Sequence, residues 1–156
     1  MFEVRLRKRT PSAICDGIGF LAQHRLTFDK VSSDGSGKCD AESSKYETDR
    51  AYGVLFRIRI EEEKALDDAE GLGKGYKKAE VVVATSSQER RAVAYLATKK
   101  EPSRVPYHWY KAFVLAGAVE HNLPNAYVEW LRSVPSKDDP DPDRRAENEG
   151  LLFGSI

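Results

Sequence analysis

Glu70 occupies the position best suited to proton transfer among the 25 acidic residues of this 156-residue chain. It ends a predicted helix over 61–70 and directly precedes Gly71, with the apolar residues Ala69 and Leu72 close by. A carboxylate in such a position can be partly desolvated, which suits it to general acid–base catalysis. A solvated charge at a helix end is the simpler interpretation, and the residue types alone favour it.

Four tyrosines lie on or beside predicted core elements, namely Tyr76, Tyr95, Tyr107 and Tyr110. A buried tyrosine packs its ring and keeps one polar group available. Ordinary core positions explain all four. If several of the hydroxyls meet near Glu70, they could orient a small, amino-acid-like substrate.

The histidines and cysteines are too scattered to suggest a metal site. They are His24, His108, His121, Cys15 and Cys39. Because neither cysteine stands at ligand spacing from a second Cys or His, we expect no metal. We expect the two cysteines to be reduced thiols of a cytosolic protein, with a single disulfide as the alternative.

A glycine-rich segment follows Glu70 and contains Gly71, Gly73 and Gly75. A loop that cradles phosphate normally follows a strand and opens a helix. Here a predicted helix comes first and a predicted strand follows, which is the wrong order. A flexible connection between the two elements is the favoured interpretation.

The composition excludes several classes of protein. Lys plus Arg equals Asp plus Glu at 25 each, so the chain lacks the basic excess that general nucleic-acid binding leaves. No apolar run approaches the ~18 residues that a membrane-spanning helix needs. The first ten residues are basic with no apolar stretch behind them, so we expect no secretory signal and a cytoplasmic location. We expect the basic cluster itself to be a solvated helix face.

The hydrophobic pattern predicts an α+β protein with a small curved sheet or barrel. We predict a loop at 32–38 and, from Pro135 to Gly150, a poorly ordered tail or an extended wrap, with the apolar end LLFGSI docked on the body. The predicted strands cover 13–20, 25–30, 51–60, 76–85 and 91–98. The predicted helices cover 61–70, 107–122 and a segment that begins at Pro124.

Several short motifs follow one another in a consistent order between residues 1 and 133. They are PSA at 11–13, HRLTFDK at 24–30, DGSGKCD at 34–40, YGVLF at 52–56, LDDAEG at 66–71, AYLA at 94–97 and GAVEHNLPNAY at 117–127, with Tyr76, Pro106 and Tyr110 between them. This ordered set resembles the γ-glutamylcyclotransferases, and the early motifs resemble the bacterial members in particular. Each motif is weak alone, and the order makes the set specific.

The resemblance implies a small mixed β-barrel flanked by helices, which we place at residues 1–134. The charged, Pro-rich tail predicted at 135–156 has no part in the resemblance. It implies cyclisation of a γ-glutamyl group to 5-oxoproline with release of an amine or amino acid, and no cofactor. Glu70 matches the catalytic glutamate of the family, at the last acidic position of its D-x-x-E-G motif. Gly71, Tyr76, Tyr95 and Tyr110 are the implied substrate-binding residues.

One departure from the family pattern bears on activity. The family begins with a buried strand and a Tyr-Gly-Ser-Asn loop, whose backbone N–H groups hold the glutamyl group. Met1 matches the apolar residue just after that loop, so strand and loop are missing from the given sequence. Three explanations stay open: a start codon assigned too late, a shortened inactive member, or a partner that supplies the strand.

Two functional hypotheses therefore compete. The first is a γ-glutamylcyclotransferase-type enzyme acting on a small γ-glutamyl substrate, with Glu70 as general acid and base. The second is a non-catalytic binding or interaction module on the same fold. An unfilled gap in the sheet would expose strand edges, which predicts self-association, with a homodimer as one form.

Overall fold

A computed structural model of the chain describes residues 3–153. The strands are β1 (Ile14–Ala22), β2 (His24–Val31), β3 (Gly37–Ser43), β4 (Arg50–Arg57), β5 (Tyr76–Ala84) and β6 (Glu89–Ala97). The α-helices are α1 (Glu3–Arg7), α2 (Glu63–Glu70), α3 (His108–Glu120), α4 (Asn125–Ser133) and α5 (Pro142–Phe153). A short 3₁₀ turn, Ile60–Glu62, leads into α2.

The strands form two antiparallel sheets. One has four strands in the order β4-β1-β5-β6, and the other is the β2-β3 pair. The predicted α+β class is confirmed. Among the described strands the hydrogen-bonded ladders do not close into a barrel, although β2 lies beside β4 and β3 beside β6. The two sheets thus form a barrel-like wall around one side of the core.

One predicted strand is too long, and one strand of the structure was not predicted. The predicted strand over 51–60 ends at Arg57, because the backbone N–H of Arg59 donates to Ser12 Oγ (2.9 Å) and Ile60 starts the 3₁₀ turn. Strand β3 was not predicted, since its sequence GKCDAES is polar and does not alternate. Pairing with β2 imposes the strand. At Gly37 an added Cβ would lie 1.9 Å from the carbonyl oxygen of Phe28, so only glycine fits there.

The core lies between the sheets and α3 and α4. Its main cluster consists of Phe28, Ala118, Leu123, Val128 and Leu131, and Leu131 is the most buried of these side chains. A second cluster contains Tyr107, Trp109 and Phe113, which belong to α3 and the residue before it. Helix α3 therefore has one side in each cluster and connects the two.

Residues 142–153 form a helix, so the prediction of a poorly ordered tail is wrong there. Pro142 suits the first position of a helix, and Asp141 caps it by accepting the N–H groups of Asp143 and Arg144 at 3.1 and 3.0 Å. Leu151 and Leu152 pack on the Trp109 cluster, which confirms the predicted docking for these two residues. Residues 154–156 lie outside the described part.

The segment before α5 is anchored by Asp139, which is only 3% exposed. Its carboxylate accepts the indole N–H of Trp109 at 2.8 Å and two N–H groups of Arg144. The Arg144 guanidinium lowers the pKa of Asp139 to about 2. A buried charge with this set of donors is well satisfied, so Asp139 ties the end of the chain to α3.

No helix within residues 3–153 is both long enough and apolar enough to cross a membrane. Cys15 is exposed, Cys39 is partly buried, and neither forms a disulfide. The expectation of two free thiols is confirmed.

Candidate active site

Glu70 is the last residue of α2, as predicted. Gly71 ends the helix in the left-handed region, with φ 72°, where glycine is favoured. The N–H of Leu72 then returns to the carbonyl of Asp67 at 2.9 Å, which closes the final turn. The Glu70 side chain is 18% exposed, so its carboxylate is mostly withdrawn from solvent.

The guanidinium of Arg9 binds the Glu70 carboxylate. Its Nη1 lies 3.1 Å from Glu70 Oε1, and its side chain is 27% exposed. Arg9 lies just after α1, so the short N-terminal helix and the end of α2 meet at this pair. A charge-assisted bond of this kind fixes the orientation of the carboxylate.

Glu70 opens on a cavity of about 370 Å³. Part of its wall is apolar and comes from α3 and α4. Tyrosines and charged residues make up much of the remainder. The charged residues in the described wall are Arg5, Arg9, Lys30, Lys38 and Glu70. Arg9 pairs with Glu70, and Lys38 pairs with Asp34. The remaining cations of the wall, Arg5 and Lys30, give it a positive charge that suits an anionic ligand.

Arg5 corrects the expectation of a solvated basic face on the first helix. Its guanidinium lies 4.9 Å from the ring centroid of Phe113 and 5.8 Å from that of Trp109. Burial lowers the pKa of Arg5. Arg7, in contrast, is 53% exposed and does face solvent. Helix α1 therefore directs one of its basic side chains into the site.

Lys38 is a second buried cation in the wall. Its Nζ donates to Asp34 Oδ2 at 2.8 Å and lies 4.5 Å from the ring centroids of Trp109 and Tyr110. Burial lowers the pKa of Lys38, and the pairing with Asp34 opposes that shift. Because Asp34 already neutralises it, Lys38 supports the wall more than it attracts a ligand.

Lys30 is different, because it is buried without a counter-ion. It is 8% exposed, and its Nζ lies 4.5 Å from the ring centroid of Tyr76. Within residues 3–153 it has no carboxylate in ion-pair range. Burial lowers its pKa, with the charges of Asp34 and Glu70 opposing the shift. A buried ammonium with no ionic partner is poised to receive a carboxylate from a ligand.

Tyr76 and Tyr110 line the cavity and share one contact, the backbone of Cys39. The hydroxyl of Tyr76 donates to the Cys39 carbonyl at 2.6 Å, and the Cys39 N–H donates to the Tyr110 oxygen at 3.1 Å. Burial raises the pKa of both tyrosines, so both stay neutral. They form a rigid polar strip across the cavity from α2.

Tyr95 and Gly71 do not line the described cavity wall. The Tyr95 hydroxyl donates to Asp67, one turn before Glu70, and Asp67 also accepts Lys78 at 2.8 Å. These contacts fasten α2 to β5 and β6. The structure thus brings together Glu70, Tyr76 and Tyr110, and it places Tyr95 and Gly71 behind Glu70 as supports.

Sequence comparison finds relatives over most of the chain. The model of the AIG2-like family matches residues 50–131. A γ-glutamylcyclotransferase of Mus musculus is 30% identical over 135 residues, which cover 83% of this chain and 71% of that protein. A γ-glutamylcyclotransferase of Homo sapiens is 31% identical over 140 residues, which cover 86% and 73%. The chain belongs to the γ-glutamylcyclotransferase family.

The fold agrees with that assignment. A solved structure named γ-glutamyl cyclotransferase superposes with a TM-score of 0.83 at 27% identity, and the match covers 95% of this chain and 92% of that one. The family resemblance predicted from the ordered motifs is therefore confirmed. The segment matched by the family model includes Glu70 and the three candidate tyrosines, whereas Arg5, Arg9, Lys30 and Lys38 precede it.

Proposed function

We propose that this chain cyclises a γ-glutamyl group to 5-oxoproline and releases the attached amine or amino acid, with Glu70 moving the proton. The observation behind the proposal is the position of Glu70, which lines a cavity with several cations in its wall and is oriented by Arg9. Family membership and relatives named γ-glutamylcyclotransferase support the reaction type.

The reaction suits a site with one working carboxylate. The α-amine of the substrate attacks its own γ-carbonyl carbon, so a new C–N bond closes the five-membered ring. Glu70 takes a proton from that amine and delivers it to the departing nitrogen as the original C–N bond breaks. Protons balance over the cycle, and the enzyme supplies no nucleophile. The site must also hold the substrate folded for ring closure.

We assign substrate anchoring to Lys30. A γ-glutamyl compound carries an α-carboxylate beside the attacking amine. Among the described residues, Lys30 and Arg5 are the two cations of the wall without an ion pair, and Lys30, at 8% exposed, is the more withdrawn from solvent. Pairing would neutralise the ammonium and would place the amine on the same side of the cavity as Glu70. Tyr76, whose ring lies under Lys30, and Tyr110 complete this wall.

The decisive experiment compares Glu70→Gln with Glu61→Gln, an exposed acid at the start of the same helical segment. We expect Glu70→Gln to lower 5-oxoproline release from γ-glutamyl amino acids by about 10²- to 10⁴-fold, the usual contribution of a positioned acid–base group. Circular dichroism and the melting temperature should stay near wild type. A fully active Glu70→Gln variant would contradict the proposal.

A non-catalytic binding module is the second candidate. The observation that favours it is the absence of a Tyr-Gly-Ser-Asn segment from residues 1–156, since the family resemblance gives that loop the task of holding the glutamyl group. Turnover of γ-glutamyl compounds and their binding should be measured on the same preparation of the chain. Ligand binding in the cavity without turnover would favour the module.

The assembly and the location of the chain stay predictions. The edges of β2 and β4 lie side by side without ladder bonds in the described part, which leaves them available for strand pairing. A dimer seen by light scattering would support pairing through these edges. The cytoplasmic location rests on the sequence argument alone.

A further inference from the structure

A group of metal-ligating side chains lies outside the cavity, where the start of α1 meets the end of α3. The ligand atoms of Glu3, Glu120 and His121 all lie within 4.8 Å of one another. None of these residues lines the cavity that contains Glu70. The cluster is therefore separate from the proposed reaction.

His121 gives this cluster its significance. Its side chain is only 8% exposed, and its Nε2 has no hydrogen-bond partner among residues 3–153. Leaving a buried polar atom unsatisfied destabilises the folded protein, so such atoms usually have a ligand or a structural partner. The carboxylate oxygen Oε2 of Glu120 lies 3.6 Å from Nε2, which is too far for a hydrogen bond.

That distance suits two ligands of one metal ion. Tetrahedral coordination with bonds of about 2.1 Å separates two ligand atoms by about 3.4 Å. The separation of Nε2 and Oε2 is close to this value, and Glu3 adds a second carboxylate. The ligands also surround the C-terminal end of α3, where the helix dipole favours a positive charge.

The other ring nitrogen of His121 is held in place. Nδ1 lies 3.6 Å from Cys15 Sγ, and the ring of Phe56 meets the imidazole edge-on with centroids 5.5 Å apart. Metal-bound histidines usually make a hydrogen bond through the nitrogen that does not bind the ion. The contact with Cys15 fills that role and turns Nε2 towards the carboxylates.

The charges around the cluster leave room for a cation. Glu120 Oε2 accepts the backbone N–H of Glu3 at 3.2 Å, and Arg7 pairs with Glu3 at 2.6 Å. One arginine against two carboxylates leaves a net negative charge among these side chains. Arg7 is 53% exposed and lies on the solvent side, so it can keep this pair while the second Glu3 oxygen turns inward.

We propose that Glu3, Glu120 and His121 bind one divalent transition-metal ion, with water as the fourth ligand. One nitrogen and two carboxylate oxygens match Zn²⁺ among the common ions. The bound ion would fasten α1 to α3. Because α1 leads to Arg5 and Arg9, it would also stabilise the position of two cations of the cavity.

Calorimetric titration of the full chain with zinc chloride tests the proposal. We expect one ion per chain, and a dissociation constant at least tenfold higher for His121→Gln and for Glu120→Gln. The matched control is His108→Gln. Nε2 of His108 also lies 3.6 Å from a carboxylate, that of Asp138, but the two side chains are 53% and 79% exposed. This variant should bind zinc as tightly as wild type.

Cobalt provides a second measurement, since Co²⁺ in a tetrahedral protein site absorbs visible light and surface-bound Co²⁺ does so only weakly. Loss of that band in Glu120→Gln would support the site even if His121→Gln folds poorly, because Glu120 is 34% exposed and tolerates replacement. Wild-type protein that binds no zinc, or that loses binding equally in His108→Gln, would overturn the proposal. Binding is measured without turnover, so the result does not depend on the proposed reaction.

Discussion

Arg9 Nη1 lies 3.1 Å from Glu70 Oε1 and joins residues that are 61 positions apart in the chain. The pair connects α1 to the end of α2, where both side chains are largely shielded. In the proposed reaction Arg9 has a positioning role, because it orients the carboxylate of Glu70.

Exchanging Arg9 for Gln removes the charge that orients Glu70. We expect kcat/KM for a γ-glutamyl substrate to fall about tenfold or more, since a charge-assisted hydrogen bond contributes about 1.5–3 kcal/mol. The melting temperature should fall modestly, because the mostly shielded Glu70 carboxylate loses its ionic partner. Arg132→Gln, at a guanidinium that is 53% exposed, is the control and should keep wild-type kinetics. Normal kinetics for the Arg9 variant would remove its positioning role.

Lys30→Met should separate binding from chemistry. We expect KM to rise at least tenfold with a smaller change in kcat, because the anchoring of the substrate carboxylate is lost. The free energy of unfolding should stay level or increase, since an unpaired buried charge is replaced by an apolar chain. Lys45→Met is the matched control, because Lys45 also lies over a tyrosine ring but is exposed. A Lys30 variant with unchanged KM would refute the assignment.

Tyr95→Phe tests whether the hydrogen bond from Tyr95 to Asp67 holds α2 in place. Removing the hydroxyl leaves Asp67 with Lys78 as its remaining side-chain partner, and we expect a loss of about 1 kcal/mol in unfolding free energy. Turnover should fall by a few fold through displacement of Glu70, with KM nearly constant. Tyr46→Phe, at an exposed tyrosine, should change neither quantity. A large rise in KM for Tyr95→Phe would instead indicate direct substrate contact.

The ionised carboxylate of Asp139 should make the free energy of unfolding depend on pH. Its pKa in the folded protein, about 2, lies below the ordinary value of an aspartate near 3.9. Asp139 therefore contributes stability above about pH 4, and that contribution is lost as the pH falls from about 4 towards 2. Asp139→Asn should lose roughly 1.5–3 kcal/mol at pH 7 in urea unfolding and show a smaller loss on acidification. Asp138→Asn, at a side chain that is 79% exposed, should match the stability of wild type at pH 7 and after acidification.

The two thiols should differ sharply in reactivity. Burial raises the pKa of Cys39 to about 12, so its thiolate fraction at pH 8 is roughly one in ten thousand. Cys15 is exposed. A thiol reagent should modify one cysteine per folded chain and two in denaturant, and Cys15→Ser should remove the fast reaction. Rapid labelling of both sites in folded protein would contradict the described burial.

Local patterns in the sequence predicted much of the fold. The predicted strands over 76–85 and 91–98 correspond closely to β5 and β6, and the predicted helix over 107–122 corresponds to α3. The apolar residues of these three elements recur at strand or helix spacing, so the local sequence alone indicates the structure. Strand β3 has no such spacing, and its pairing with β2 comes from the tertiary structure. The helix over 142–153 had a local signal in Asp141 and Pro142, which the charged composition of the segment obscured.

The site was predictable only in part. Glu70 is recognisable from the family motif, whereas its place at a helix end alone favoured a solvated charge. Arg5, Arg9 and Lys30 are not, because single basic residues in a charged segment give no sign of which one turns inward. The His121 cluster is still less visible, since Glu3 and Glu120 lie 117 positions apart and only the fold brings them together.

Because Asp139 holds Trp109 in place, the fluorescence of Trp109 can report on the position of the C-terminal helix. The chain has two tryptophans, one of which, Trp109, is 4% exposed and bonded at the junction of α3 and α5, while Trp130 is 40% exposed. In the folded protein, a soluble quencher should therefore reach Trp130 and spare Trp109. Release of α5 alone would expose the second indole while the sheets stay intact, so steady-state quenching can distinguish local detachment of the C-terminal helix from global unfolding.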